Sequence, residues 1–123
     1  MMPKFGKTSQ DRLSTCHPDL QLICTEAIKL YDFSVICGYR GEAAQNEAYV
    51  NGYSGAKWGE SYHNQIPSLA IDIVPYPSSW ENKYEFYRLS GIIMTLADKH
   101  NIKIRWGGDF KGFFDGAHWE LLA

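Results

Sequence analysis

At 123 residues the chain has room for one domain and little more. An apolar share of 45% and an aromatic share of 15% suit a packed core, while a net charge of −2 supplies no basic field for nucleic acid. No stretch has the length of an apolar membrane span, and Met1–Gln10 lacks the apolar segment of a secretory signal.

In chain order, residues 9–16 suit a short helix with Ser9 as its cap. His17-Pro18 restarts the chain, and Leu20, Ile23, Cys24, Ala27, Ile28 and Tyr31 form one apolar face, which predicts a helix over 18–31. Phe33–Cys37 reads as a strand that ends in the Gly38-Tyr39-Arg40-Gly41 loop, and 42–50 is rich in helix formers. Residues 51–68 lack periodicity and read as an irregular loop. Leu69–Val74 reads as a strand. Ser78-x-x-Glu81 has the pattern of a capping box, and a long helix is expected over 79–99, with Trp80, Tyr84, Tyr87, Gly91, Met94 and either Ala97 or Asp98 near its apolar stripe, widened by Ile92, Ile93 and Leu96. The alternating runs 102–106 and 117–121 give two more strands. The order predicts an α+β fold, with helices packed on a small, mainly antiparallel sheet.

Asp72 interrupts an apolar strand, and a carboxylate there needs a cation, a donor or water. His63 sits on the loop feeding that strand, and His118 lies on the last strand with Glu120 two residues on, on the same face. If the two strands are neighbours, His63, Asp72 and His118 converge as a zinc set with one position left open. Each histidine taken singly is more often a surface or hydrogen-bonded residue than a ligand. Asp115, three residues before His118, and Glu120 both stand as candidates for a general base, Glu120 alternatively as the residue that orients a histidine. Arg40, with Gln45 five residues on, is either a clamp for a substrate carboxylate or a solvated loop arginine. Ser61 either contacts substrate or holds its turn. His17 and His100 sit at helix ends and are expected to be structural. Cys16, Cys24 and Cys37 are expected to be small buried hydrophobes, since their spacing fits neither a disulfide framework nor a cysteine zinc site, and no motif supports a cysteine nucleophile at Cys37.

Ser61-x-His63, Pro67-Ser68-x-Ala70-x-Asp72-Ile73, Arg105-Trp106-Gly107-Gly108-Asp109 and Asp115-x-x-His118-Trp119-Glu120 together resemble the zinc peptidases that include bacteriophage L-alanyl-D-glutamate endolysins and bacterial D-alanyl-D-alanine carboxypeptidases. Gly38-Tyr39-Arg40 and Gln45 join the resemblance, which runs from about residue 18 to the C-terminus and is nearer the phage branch. Two departures stand out. Eight residues separate His63 from Asp72 where many members have six, and Trp119 stands where phenylalanine is usual.

The resemblance implies a Hedgehog/D-Ala-D-Ala-peptidase-like fold, with Zn2+ on His63, Asp72 and His118. It also implies Asp115 as base for the attacking water, Arg40 for a substrate carboxylate or the oxyanion, Gln45 and Ser61 beside the substrate, and Glu120 behind the ligands. The implied protein is a monomeric hydrolase of the peptidoglycan stem peptide, most simply an L-alanyl-D-glutamate endopeptidase. Residues 1–123 would form one catalytic domain without a separate wall-binding domain, held in the host cytoplasm until release. A D-alanyl-D-alanine carboxypeptidase and a non-catalytic, zinc-containing wall-peptide binding module are the competing readings.

Overall fold

The computed structural model describes residues 2–77 and 80–122. Four α-helices stand among the described residues: α1 (Lys7–Leu13), α2 (Pro18–Ala27), α3 (Glu42–Val50) and α4 (Lys83–Lys99). The strands β1 (Phe33–Cys37), β2 (Ala70–Pro75), β3 (Ile104–Trp106) and β4 (His118–Leu121) form one sheet in the order β1-β2-β4-β3. Every neighbouring pair is antiparallel, so the α+β expectation holds.

Central strand β2 is covered on both faces, and Asp72 alone among its six residues stays partly open. Ile71 and Ile73 point into the main core, where α2 contributes Leu20, Ile23, Cys24 and Ala27. Burying this helical stripe and the strand residues against each other is the main stabilising term. Ala70 and Asp72 alternate to the opposite face, where their register partners are Glu120 and His118. Trp119 therefore points back into the core and stacks on Trp106 of β3, with ring centroids 5.7 Å apart. The Trp106 indole N–H donates to the Gly116 carbonyl at 2.8 Å.

α2 starts as expected, with His17 as its cap: its Nδ1 accepts the Asp19 N–H at 3.0 Å. His100 likewise ends α4 and pairs with Glu26 of α2. Other boundaries differ. α1 is capped by Gly6, and the Ser9 hydroxyl instead accepts the Val35 N–H at 3.0 Å, fastening α1 to β1. α4 begins at Lys83 after Asn82; the capping box expected at Ser78 lies outside the described residues. The buried stripe of α4 is Phe86, Leu89, Ser90, Ile93, Leu96 and Ala97, while Tyr84, Tyr87 and Met94 are exposed. Ser90 is tolerated inside because its hydroxyl bonds back to the Tyr87 carbonyl at 2.7 Å.

Candidate metal and substrate site

Three loops bring the site to the face of β2 and β4 that carries Asp72 and His118, the one partly open residue of each strand. The first follows β1. Gly38 lies where a Cβ would collide with Thr15 and the Arg12 carbonyl, so only glycine lets the chain pass α1 this closely. Its carbonyl takes the His63 Nδ1–H at 2.7 Å. The second loop carries His63 on a short 3-10 turn, Tyr62–Asn64. Ser61 caps that turn, accepting the His63 N–H at 3.2 Å, and Asn64 completes a capping box. The longer path to Asp72 is absorbed by exposed Gln65, Ile66 and Pro67, and the Leu69 N–H closes it on the Tyr62 carbonyl at 3.1 Å. The third loop carries Asp115. A Cβ on Gly107 would strike the Asp115 carbonyl, so this glycine lets the two segments touch, and the Asp115 N–H donates to Gly107 O at 3.1 Å.

Asp72 is the hub. Its Oδ1 lies 3.3 Å from His63 Nε2 and 3.2 Å from His118 Nδ1, and its Oδ2 lies 3.4 Å from an Arg40 Nη. The far nitrogen of each ring has an acceptor of its own: Gly38 O for His63, and Glu120 Oε1 at 2.8 Å for His118. Those acceptors leave a lone pair on each ring aimed at Asp72. Tetrahedral coordination with bonds of roughly 2.0–2.1 Å sets donor atoms about 3.3 Å apart, so both histidine–aspartate spacings fit a metal. His63, Asp72 and His118 thus come together as expected.

A further donor joins them. Cys37 Sγ, a His63 ring nitrogen and an Asp72 oxygen lie within 4.8 Å of one another. Cys16 and Cys24 are the buried hydrophobes expected, with thiols pushed up by burial, Cys16 to about 12. Cys37 is only half-buried, and although burial opposes its ionisation, His63 and Arg40 hold its thiol below the usual range. It reaches Asp72 because a bulge in β1 shifts the register after Val35 and pairs Cys37 with Asp72. Cys37 is not among the residues that line the cleft, and its thiol faces the Gly38 carbonyl at 3.5 Å.

Arg40 and Ser61 line the cleft, whose volume is about 610 Å3, together with Asp115 and Glu120. Gln45 does not. It is fully buried; its amide N–H groups go to Ser54 Oγ and the Ala56 carbonyl, and its Oε1 accepts from Arg40 at 3.1 Å and Asn64 at 3.1 Å. Contact between Gln45 and substrate is therefore corrected to support of Arg40. Asn64, not singled out by spacing, ties the same layer together through the Arg40 carbonyl at 3.0 Å and the Gly59 and Ser61 N–H groups. The Asp115 side chain makes no hydrogen bond among the described residues. Burial, and then the like charge of Asp72, raise its pKa above the ordinary carboxylate value.

Without a cation, burial opposes charge on both imidazoles, but Asp72 outweighs it, aided by Cys37 at His63 and Glu120 at His118. His63 is held up to about 10 and His118 to about 9. Asp72 moves the opposite way: its burial is outweighed by the two histidines. Both imidazole values lie above the unfolded value of roughly 6.5. Their contribution to stability is therefore full below that pH and is lost as pH rises through 9 and 10. Calorimetry is expected to show the chelated protein melting at falling temperature from neutral pH to pH 10, and a weaker slope if a cation bound at the cluster keeps the imidazoles neutral.

The family model described as phage L-alanyl-D-glutamate peptidase matches residues 1–122. The L-alanyl-D-glutamate peptidase of Escherichia phage T5 is 31% identical, over 97% of this chain and 98% of that protein. The Bacillus subtilis peptidoglycan L-alanyl-D-glutamate endopeptidase CwlK is 30% identical over 78% of this chain and 64% of its own length. The crystal structure of the Serratia marcescens L-Ala D-Glu endopeptidase ChiX superposes with a TM-score of 0.82, at 30% identity, covering 97% of this chain and 90% of that one. The folded geometry and these likenesses agree: the chain belongs to the phage L-alanyl-D-glutamate peptidase family.

Proposed function

We propose that this protein is a zinc endopeptidase that hydrolyses the L-alanyl–D-glutamate bond of the peptidoglycan stem, and that it serves as a phage endolysin. The observation that carries the reading is the convergence of His63, His118 and Arg40 on Asp72 beneath a cleft that Asp115 also lines, in a member of this family. Zinc would be held by His63, Asp72 and His118. What favours His118 over Cys37 as the third ligand is the acceptor behind each ring, an arrangement that fixes the tautomer of metal-binding histidines, whereas the Cys37 thiol turns toward the Gly38 carbonyl at 3.5 Å. When bound, zinc polarises the scissile carbonyl and lowers the pKa of water at the site.

The chain's own residues do the rest. Asp115 takes the proton of the attacking water as the oxygen bonds to the carbonyl carbon, then passes it to the departing D-glutamate nitrogen as the C–N bond breaks. Its raised pKa suits both transfers. Arg40, oriented by Gln45, binds a D-glutamate carboxylate, and Ser61 and Asn64 keep the His63 turn in place. Glu120 holds the His118 Nε2–H. Glu120→Ala is expected to weaken metal binding about 10–100-fold, measured by competition with a chromogenic chelator.

No helix among the described residues is long and apolar enough to cross a membrane. In this reading residues 1–123 act as a single catalytic domain and as a monomer, retained in the host cytoplasm until release to the wall. Mass spectrometry of purified peptidoglycan after digestion tests the proposal: stem peptides beginning with D-glutamate are expected. Free D-alanine with stems left intact would favour the carboxypeptidase instead, and binding without products the non-catalytic module.

A further inference from the structure

We infer that the 110–113 loop forms a subsite for the sugar ring that carries the stem peptide, with Phe113 as its stacking face; this rests on the L-alanyl-D-glutamate reading above. The cleft rim is unexpectedly aromatic. Phe113 is 63% exposed, at the edge of the cleft that holds the donor cluster, and follows Gly112, whose φ of 88° makes the turn. Tyr53, Tyr62 and Trp80 line the same cleft and are exposed with it, and a group of exposed aromatics around a polar site marks a surface that another apolar face covers. The stem peptide offers no such face near the bond, because L-alanine and D-glutamate are small or acidic. The sugar does: one side of a pyranose is a sheet of C–H groups that packs flat on an aromatic ring.

Direction and distance agree. Arg40 meets the cluster through Asp72 Oδ2, with Gln45 behind it. Arg40 follows β1 and Phe110 follows β3, the two outer strands that flank β2 and β4, so Phe110 meets the cluster from the opposite edge of the sheet, through the His118 ring at 5.7 Å, and the more exposed Phe113 lies 5.4 Å from Phe110. With Arg40 reading D-glutamate, the L-alanine side of the bond runs toward Phe110 and Phe113. In peptidoglycan, L-alanine is joined through a lactyl group to the amino sugar. That sugar therefore lies about two residue lengths, roughly 7 Å, from the scissile carbon. Phe113 is linked to His118 by two ring contacts, by way of Phe110. Phe110 is itself fixed, with the Arg105 guanidinium 4.6 Å from its ring centre, so it backs the outer ring rigidly.

The test compares kcat/KM on a sugar-bearing muropeptide and on the same stem peptide carrying only an N-lactoyl group. The wild type is expected to favour the sugar-bearing substrate about tenfold, the scale of one aromatic stacking contact. Phe113→Ala should bring that ratio close to one, and Phe113→Tyr should retain it. Tyr53→Ala removes an even more exposed aromatic of the same cleft, next to the Ser54 that bonds Gln45, and should leave the ratio unchanged. Equal wild-type rates on the two substrates would overturn the subsite, as would a Phe113→Ala variant that slows both alike, or a ratio that collapses with Tyr53→Ala instead. If neither substrate is cut between L-alanine and D-glutamate, the functional reading itself falls, and the subsite with it.

Discussion

Asp115→Asn is expected to lower kcat by about 10²–10⁴-fold, the usual contribution of a positioned general base, while the protein still binds its metal. The asparagine keeps the shape of the side chain and the backbone bonds to Gly107 and His118, so folding should be undisturbed. What is lost is the one carboxylate on the cleft that is neither hydrogen-bonded among the described residues nor paired with a histidine. Asp72 is committed to His63, His118 and Arg40, and Glu120 to His118. The pH profile carries the same signature. Asp115 must be ionised to accept a proton, and burial beside Asp72 raises its pKa. The acid limb of wild-type kcat/KM should therefore report the ionisation of Asp115, with activity lost as pH falls through it. In Asp115→Asn that ionisation should vanish from the residual rate.

His118→Ala is expected to remove both bound metal and activity, with kcat/KM falling roughly 10³-fold or more because several kcal/mol of charge stabilisation depend on the ion. Cys37→Ala, by contrast, should keep metal content and most of the activity. The pair matters because the structure offers two overlapping donor sets around Asp72, one completed by His118 and one by Cys37. Metal analysis after dialysis, with hydrolysis measured on the same samples, separates them. A Cys37→Ala protein that loses its metal while His118→Ala keeps it would transfer the centre to the thiol side.

Much of this site was legible in the chain. Asp72 in an apolar strand needed partners, and the alternation of His118 and Glu120 placed both on one face; the pairing of β2 with β4 then set Asp72 opposite His118. Local signals of that kind, period and turn chemistry, also fixed β1 and α3 to the residue. Long-range packing decided what could not be read. Gln45 looks like a polar helix residue near a loop, and only the fold of the 54–64 segment over it shows that every polar atom is spent inside. Cys37 reaches the site through one bulge in β1, which has no mark in the sequence. On α4 the tyrosines at 84 and 87 and the methionine at 94 suggested an apolar stripe. Ile93, Leu96 and Ala97 are buried as expected, but Phe86 and Leu89 take the inner places given to Tyr84 and Tyr87, because they pack without burying a phenol hydroxyl.

The central claim is that His63, Asp72 and His118 hold the metal and that Cys37, though within reach, does not. X-ray absorption at the zinc edge of the reconstituted protein addresses it directly. The expected first shell contains nitrogen and oxygen alone, near 2.0–2.1 Å, whereas a scatterer at about 2.3 Å would be a zinc–sulfur bond and would contradict the assignment.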